Sequence, residues 1–269
     1  MSVRLSSAVA ASLLIAVPAL VSAQQPLTFE KSLTVGASPS LEVSTGSGDV
    51  TVQAGSGSTI VVKGSVRVRT GSNVPSNAAE LARQLAANPP IVQAGDVVTV
   101  GKITDEATRR AVSVSYQITV PAATAVQANS GSGSVSVSGV RGAVEANSGS
   151  GNVTANSIGG DVDLRSGSGD IALQGGSKAA TLSTGSGSIG VNGKPTGDWR
   201  VTAASGDVTI ALPAEQGFTL DASTSSGSFD IASPMAVQGR IDRRRVQGTV
   251  RGGGPTLRVS TASGDIAVR

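Results

Sequence analysis

The 269 residues include no histidine and no cysteine, and only five aromatic side chains: Phe29, Tyr116, Trp199, Phe218 and Phe229. Each absence removes a class of chemistry. Ser-His-Asp and Cys-His nucleophile systems lose their imidazole base, and zinc or other transition-metal centres lose their usual ligands. Without cysteine there is no disulfide, so stability has to come from packing and backbone hydrogen bonds. Five rings are too few for a base-stacking platform or an aromatic-walled sugar cleft, which argues against nucleic-acid recognition. Charge is also sparse at 14%, with 21 Lys and Arg against 18 Asp and Glu for a formal net of +3, so the overall field says little about partners.

What is present is glycine, 35 residues of it, and aliphatic side chains. Residues 1–23 carry one basic residue, Arg4, then a short apolar stretch ending Val21-Ser22-Ala23, the pattern of a cleaved secretory signal. The expected location is outside the cytoplasm: secreted, periplasmic or on the cell surface, with no transmembrane segment after cleavage near Ala23. Charge is uneven at the other end. In the last 30 residues Arg240, Arg243, Arg244, Arg245, Arg251, Arg258 and Arg269 face only Asp242 and Asp265.

A recurring Ser-Gly pair places glycine at Gly48, Gly133, Gly151, Gly169, Gly187, Gly206, Gly227 and Gly264, with spacings from Gly133 onward of 18, 18, 18, 19, 21 and 37. Such fixed-period self-similarity marks a solenoid. Two and four residues after each Gly the side chain is apolar, from Val50 and Val52 to Ile266 and Val268. Five and seven residues before it the same holds, from Val43 and Leu41 to Val259 and Leu257. Apolar residues two apart are the β period, so each unit of about 18 residues reads as two short strands joined by Gly- and Ser-rich turns. One unit buries too little to stand alone and must stack on its neighbours. The fold expected is all-β: a single-stranded parallel β-helix or β-solenoid, right-handed by default crossover sterics, with one short helix in an N-terminal insertion.

In this reading the eight glycines are structural turn residues, at corners that need positive φ or leave no room for Cβ. The preceding serines, Ser47 through Ser263, form a hydroxyl ladder, and Asp49, Asn152, Asp170, Asp207 and Asp265 are Asx-turn residues. An irregular N-terminal part, 73–121, carries the helix over 73–90, capped by Asn77 with Glu80 and stopped by Pro89-Pro90. Extended runs are expected at 59–68, 97–103 and 112–120. Regular repeats fill 122–232, a basic hairpin 235–254, and a final coil 255–269, the solenoid as a whole covering 24–269.

The run Tyr116-Gln-Ile-Thr-Val-Pro121 leading into Asn129-Ser-Gly-Ser-Gly-Ser-Val135, the serial Ser-Gly-Asp-Val units, and the ending from Gly252 to Ile266 resemble a bacterial β-strand-repeat family of candidate adhesins, a domain of unknown function. The resemblance covers roughly residues 27–269 and implies a β-solenoid envelope protein. The family carries no agreed catalytic residues, so none is transferred.

Sharper readings compete with this one. Gly185-Ser-Gly187-Ser-Ile-Gly190 satisfies a dinucleotide fingerprint, but a strand rather than a helix follows it. A calcium-organised roll needs carboxylates at every turn, and only four of eight equivalent positions carry one. A polysaccharide-active enzyme would use Asp161, Asp163 and Asp170 or Asp207, with no aromatic wall to build a cleft. The expectation is a non-catalytic structural or adhesive module with no catalytic residue, cofactor or metal, and with Arg240, Arg243, Arg244, Arg245 and Arg251 docking an anionic envelope polymer or surface protein. The C-terminal coil is expected to leave an edge open to self-association.

Overall fold

The computed structural model describes residues 26–232 and 242–269. The expected signal segment and Arg240 lie outside the described residues. The chain opens with strands β1 (Leu27–Thr34), β2 (Ser40–Thr45), β3 (Val50–Gly55) and β4 (Thr59–Val68), then helix α1 (Ala78–Ala87), β5 (Ile91–Ala94), β6 (Val97–Val100), helix α2 (Glu106–Ala111) and β7 (Val112–Pro121). A regular run follows as β8 (Ala125–Ser130), β9 (Val135–Ser138), β10 (Val144–Ser148), β11 (Val153–Asn156), β12 (Val162–Ser166), β13 (Ile171–Gln174), β14 (Ala180–Ser186), β15 (Ile189–Asn192), β16 (Trp199–Ser205) and β17 (Val208–Ala211). The C-terminal part holds β18 (Phe218–Ser226), β19 (Phe229–Ile231), β20 (Arg245–Val250), β21 (Thr256–Ser263) and β22 (Ile266–Val268).

Two 11-stranded sheets face each other. Sheet I runs β1-β4-β7-β3-β9-β11-β13-β15-β17-β22-β19, and sheet II runs β20-β18-β21-β16-β14-β12-β10-β8-β2-β6-β5. The strands from β7 to β19 in sheet I and from β18 to β6 in sheet II pair in parallel, one strand of each sheet per rung. Register follows the repeat: Val144 lies beside Val162, Ala146 beside Leu164, and Val153 beside Ile171. Alternate residues point inward, and the inward columns form one apolar core in which Leu41, Val126, Val144, Val162, Ala180, Trp199, Leu257 and Leu220 are all buried. Among the described residues every rung strand except β19, which ends sheet I, is paired on both sides, which is how a rung too small to fold alone becomes stable in the stack.

Chain order and spatial order part company at both ends. The rung made by β2 and β3 lies inside the rung made by β6 and β7, although β6 and β7 come later in the chain. At the other end β21 and β22 are inserted between the β16–β17 rung and the β18–β19 rung. The outermost rung, with Gly227 at its corner, is thus built first, and the 37-residue interval from Gly227 to Gly264 includes β20 and the return of the chain to fill the gap. This corrects the expectation of a C-terminal edge: β22 is paired on both sides, by β17 and β19, so the last coil offers no free strand.

Antiparallel strands close the ends. β4 and β1 extend sheet I beyond β7, β5 covers β6, and β20 covers β18. Of the expected basic hairpin 235–254, residues 235–241 lie outside the described residues. Its described part, from Asp242 on, turns at an antiparallel Asp242–Arg245 bridge into β20, which pairs with the β18 edge. Helices number two among the described residues, not one. In α1 the Asn77 side chain makes no cap hydrogen bond, and Glu80 instead accepts from Arg83 and Gln84. In α2 Asp105 is a true cap, accepting from the Thr108 amide at 2.7 Å and the Thr108 hydroxyl at 2.6 Å, which holds its carboxyl below the usual range.

The corners explain the repeat. A Cβ on Gly151 would lie 2.3 Å from the Gly133 carbonyl oxygen, and one on Gly169 2.3 Å from that of Gly151, so most of this glycine column answers close backbone approach. Only Gly206 and Gly264 add a positive φ, at 143° and 150°. The working hydroxyls are not the serines beside these glycines but residues three positions before them. Ser130, Ser148 and Ser166 are buried; each donates to the carbonyl of the previous rung's corner Gly at 2.9 Å and accepts from its own corner Gly amide at 2.8 Å. Thr184, Thr224 and Thr261 donate likewise, while Ala203 interrupts the column. The Asx residues also act between rungs rather than within their own turn. Asp49 accepts the Ser134 amide, Asn152 the Asp170 amide, Asp170 the Ser188 amide, and Asp207 the Asp265 amide.

Candidate functional surface

Outward residues define two unlike faces. Along sheet I one outward column reads Thr51, Ser136, Thr154, Ala172, Gly190, Thr209 and Ala267, and its neighbour reads Gln53, Ser138, Asn156, Gln174, Asn192 and Ala211. No charge interrupts these runs over the middle rungs, where the side chains are short and the face is flat and neutral; Lys63 at one end and the Asp230–Arg269 pair at the other carry charge.

Sheet II is charged, and the charge is sorted. The repeat position six residues before the corner glycine stacks, in spatial order, as Glu42, Gln127, Glu145, Asp163, Thr181, Arg200, Arg258 and Asp221. Acid therefore gathers at Glu145 and Asp163 and base at Arg200 and Arg258, with Thr181 between them and Asp221 beyond Arg258. Asp163 is the most constrained member. One oxygen accepts from Arg165 at 2.6 Å, the other is buried without a partner, and burial pushes its carboxyl up, with Arg165 opposing and Glu145 reinforcing the shift. A depression of about 430 Å³ runs over the acidic part, bordered by Gln127, Glu145, Asp161, Asp163 and Thr181.

The arginines singled out in the sequence do not form one patch. Arg243 and Arg244 are exposed in the turn before β20, and neither makes an ion pair with a described residue. Arg245 begins β20 and grips Asp221 with two hydrogen bonds, at 3.1 and 3.0 Å. Arg251 lies past the far end of that six-residue strand, roughly 20 Å from the turn, in a left-handed conformation at φ 47°. Arg200 and Arg258, adjacent in register and both exposed, are the pair that sequence reading passed over.

The enzymatic and metal alternatives find little geometry here. Asp161 accepts the Ala179 amide at one corner, Asp170 accepts the Ser188 amide at another, and Asp163 faces outward between them, so the three do not converge. Among the described residues no group of three or more carboxylates is placed to hold a metal ion. The glycine fingerprint around Gly187 runs from β14 into β15, with no helix to receive a phosphate. No helix of the described residues is long and apolar enough to cross a membrane.

Repeat, corner and two-sheet stack define an all-β, solenoid-like class of domain. The chain belongs to the Toastrack family, DUF4097, whose pattern matches residues 31–269. Solved structures of similar outline include a candidate adhesin from Bacteroides fragilis (12% identity, TM-score 0.41, covering 90% of this chain and 97% of that one). A candidate lipid-binding protein from Parabacteroides distasonis gives 12% identity and a TM-score of 0.43 over 90% and 96%. A candidate cell adhesion protein from Clostridium sporogenes gives 10% and 0.37 over 91% and 99%. No curated protein matches the sequence.

Proposed function

We propose that this chain is a non-catalytic module of the cell envelope, working outside the cytoplasm by presenting flat, repetitive faces to surface components. The observation that carries the reading is the dispersal of its polar groups: they repeat from rung to rung along two open faces instead of converging in a cleft. Weak contacts repeated at rung spacing favour a repetitive partner, such as a polymer, through avidity. The exposed Arg243, Arg244 and Arg251 supply points of attachment for anionic groups on that polymer.

Retention on an immobilised anionic polysaccharide tests this directly. Wild-type protein is expected to be retained at low salt and released as salt rises, and the triple substitution Arg243→Glu, Arg244→Glu, Arg251→Glu is expected to lose retention several-fold. Equal retention of wild type and variant would remove these arginines from the account, and no retention of either would remove anionic docking altogether.

A further inference from the structure

The sorted column on sheet II is self-complementary. Counting rungs along it, Asp163 and Arg200 lie one rung to either side of Thr181, and Glu145 and Arg258 lie two rungs to either side. A two-fold axis lying in the interface plane, along the strand direction at the Thr181 rung, therefore sets Asp163 of one copy opposite Arg200 of the other, and Glu145 opposite Arg258, four ion pairs in all. We propose that the outward face of sheet II docks on a second copy of this chain in antiparallel orientation about Thr181.

Two further features favour that occupant. In a single chain the column holds like charges side by side. Glu145 stacks on Asp163 and Arg200 stacks on Arg258, an arrangement that costs stability in directly neighbouring strand positions and is offset only in part by Arg165 beside Asp163 and Asp221 beside Arg258. Neither Arg200 nor Arg258 forms an ion pair with a described residue, and both are exposed. Docking a second copy sets an opposite charge against each member of both like-charge pairs. Asp221, by contrast, is already held by Arg245 and faces the uncharged Gln127 in this arrangement, so no repulsion arises at the next rung.

Size sets the strength. Rungs about 4.8 Å apart and outward faces of some four residues give on the order of 500 Å² per copy, the low end for a specific interface. The dimer is accordingly weak, salt-sensitive and governed by charge pairing rather than apolar burial.

Sedimentation velocity on the full chain tests the proposal. Wild type is expected to shift from monomer toward dimer with concentration at low salt, and to return to monomer in high salt. The all-acid variant Arg200→Glu, Arg258→Glu and the all-base variant Glu145→Arg, Asp163→Arg are each expected to dimerise at least tenfold more weakly. Mixed one to one, they should form a heterodimer at least as tight as the wild-type dimer, since all four pairs then attract. Thr154→Glu with Thr209→Glu, which places two added carboxylates on sheet I instead, should leave self-association as in wild type. Melting curves matching wild type show that the variants fold. Wild type that stays monomeric at low salt and high concentration, or folded variants that fail to pair when mixed, would overturn the proposal.

Discussion

At the scale of single residues, the repeat is enforced at its corners by contacts with nowhere to yield. Gly169→Ala would drive a methyl group to 2.3 Å from a backbone oxygen, whereas Gly46→Ala meets nothing within 4 Å. The first is expected to cost about 2 kcal/mol or more, about 5 °C in melting temperature, and the second less than a fifth of that. Thermal melts of the two variants side by side check this; equal losses would mean that glycine is there for flexibility instead. Ser166→Ala strands both a carbonyl and an amide at a buried corner and should cost about 1–3 kcal/mol by urea unfolding. Asp265 gives a pH signature. Hydrogen bonds from the Ser228 amide and hydroxyl hold its carboxyl below the ordinary 3.8. Its contribution is thus complete above that value and lost as pH falls through the lowered one, so Asp265→Asn should flatten the fall in melting temperature over that acid range. The glycine column and the apolar positions were legible because a period of 18 displays them. The buried hydroxyls were legible too, three before each glycine on the inward period, but the more regular Ser beside the glycine masked them.

Among the elements, the sequence announced strands wherever side chains alternate, and β4 and β7 lie where the extended runs were expected. It did not announce where each strand sits. Alternation specifies a face and the repeat specifies a register, but nothing local tells β21 to enter a gap between β16 and β18. The rung of β6 and β7 escaped notice because it has no Ser-Gly corner; α2 occupies that connection. α2 itself carries an Asp105 cap and Arg109 and Arg110 in its last turn, a readable signal lost between two runs read as extended. The insertion has a consequence for truncation. Removing 255–269 takes out an interior rung and uncovers an edge on each of four strands, β16, β17, β18 and β19, so the shortened chain should aggregate or lose its cooperative melt. A truncated chain that stays monomeric and melts within a few degrees of wild type would mean that those residues form an end.

For the molecule as a whole, the repeat that makes the core also makes the faces, since every inward column has an outward neighbour. One face became a neutral plain and the other a gradient from acid to base, and the second was visible in the alignment as a single repeat position running from Glu42 to Arg258. The C-terminal arginines drew attention by being consecutive in sequence, whereas the stack spreads them along β20 and brings Arg200 beside Arg258 instead. The arrangement of the rungs underlies both faces, and absence of native cysteine permits a clean test of it. Thr202 and Ser260 are outward neighbours in register, their hydroxyls 3.3 Å apart, while Ser223 lies one rung beyond Ser260. Under mild oxidation Thr202→Cys with Ser260→Cys should form an intramolecular disulfide, and Thr202→Cys with Ser223→Cys, two rungs or roughly 10 Å apart, should not. The reverse outcome, a bridge from residue 202 to residue 223 and none to residue 260, would mean that rungs stack in chain order and would contradict the architecture described.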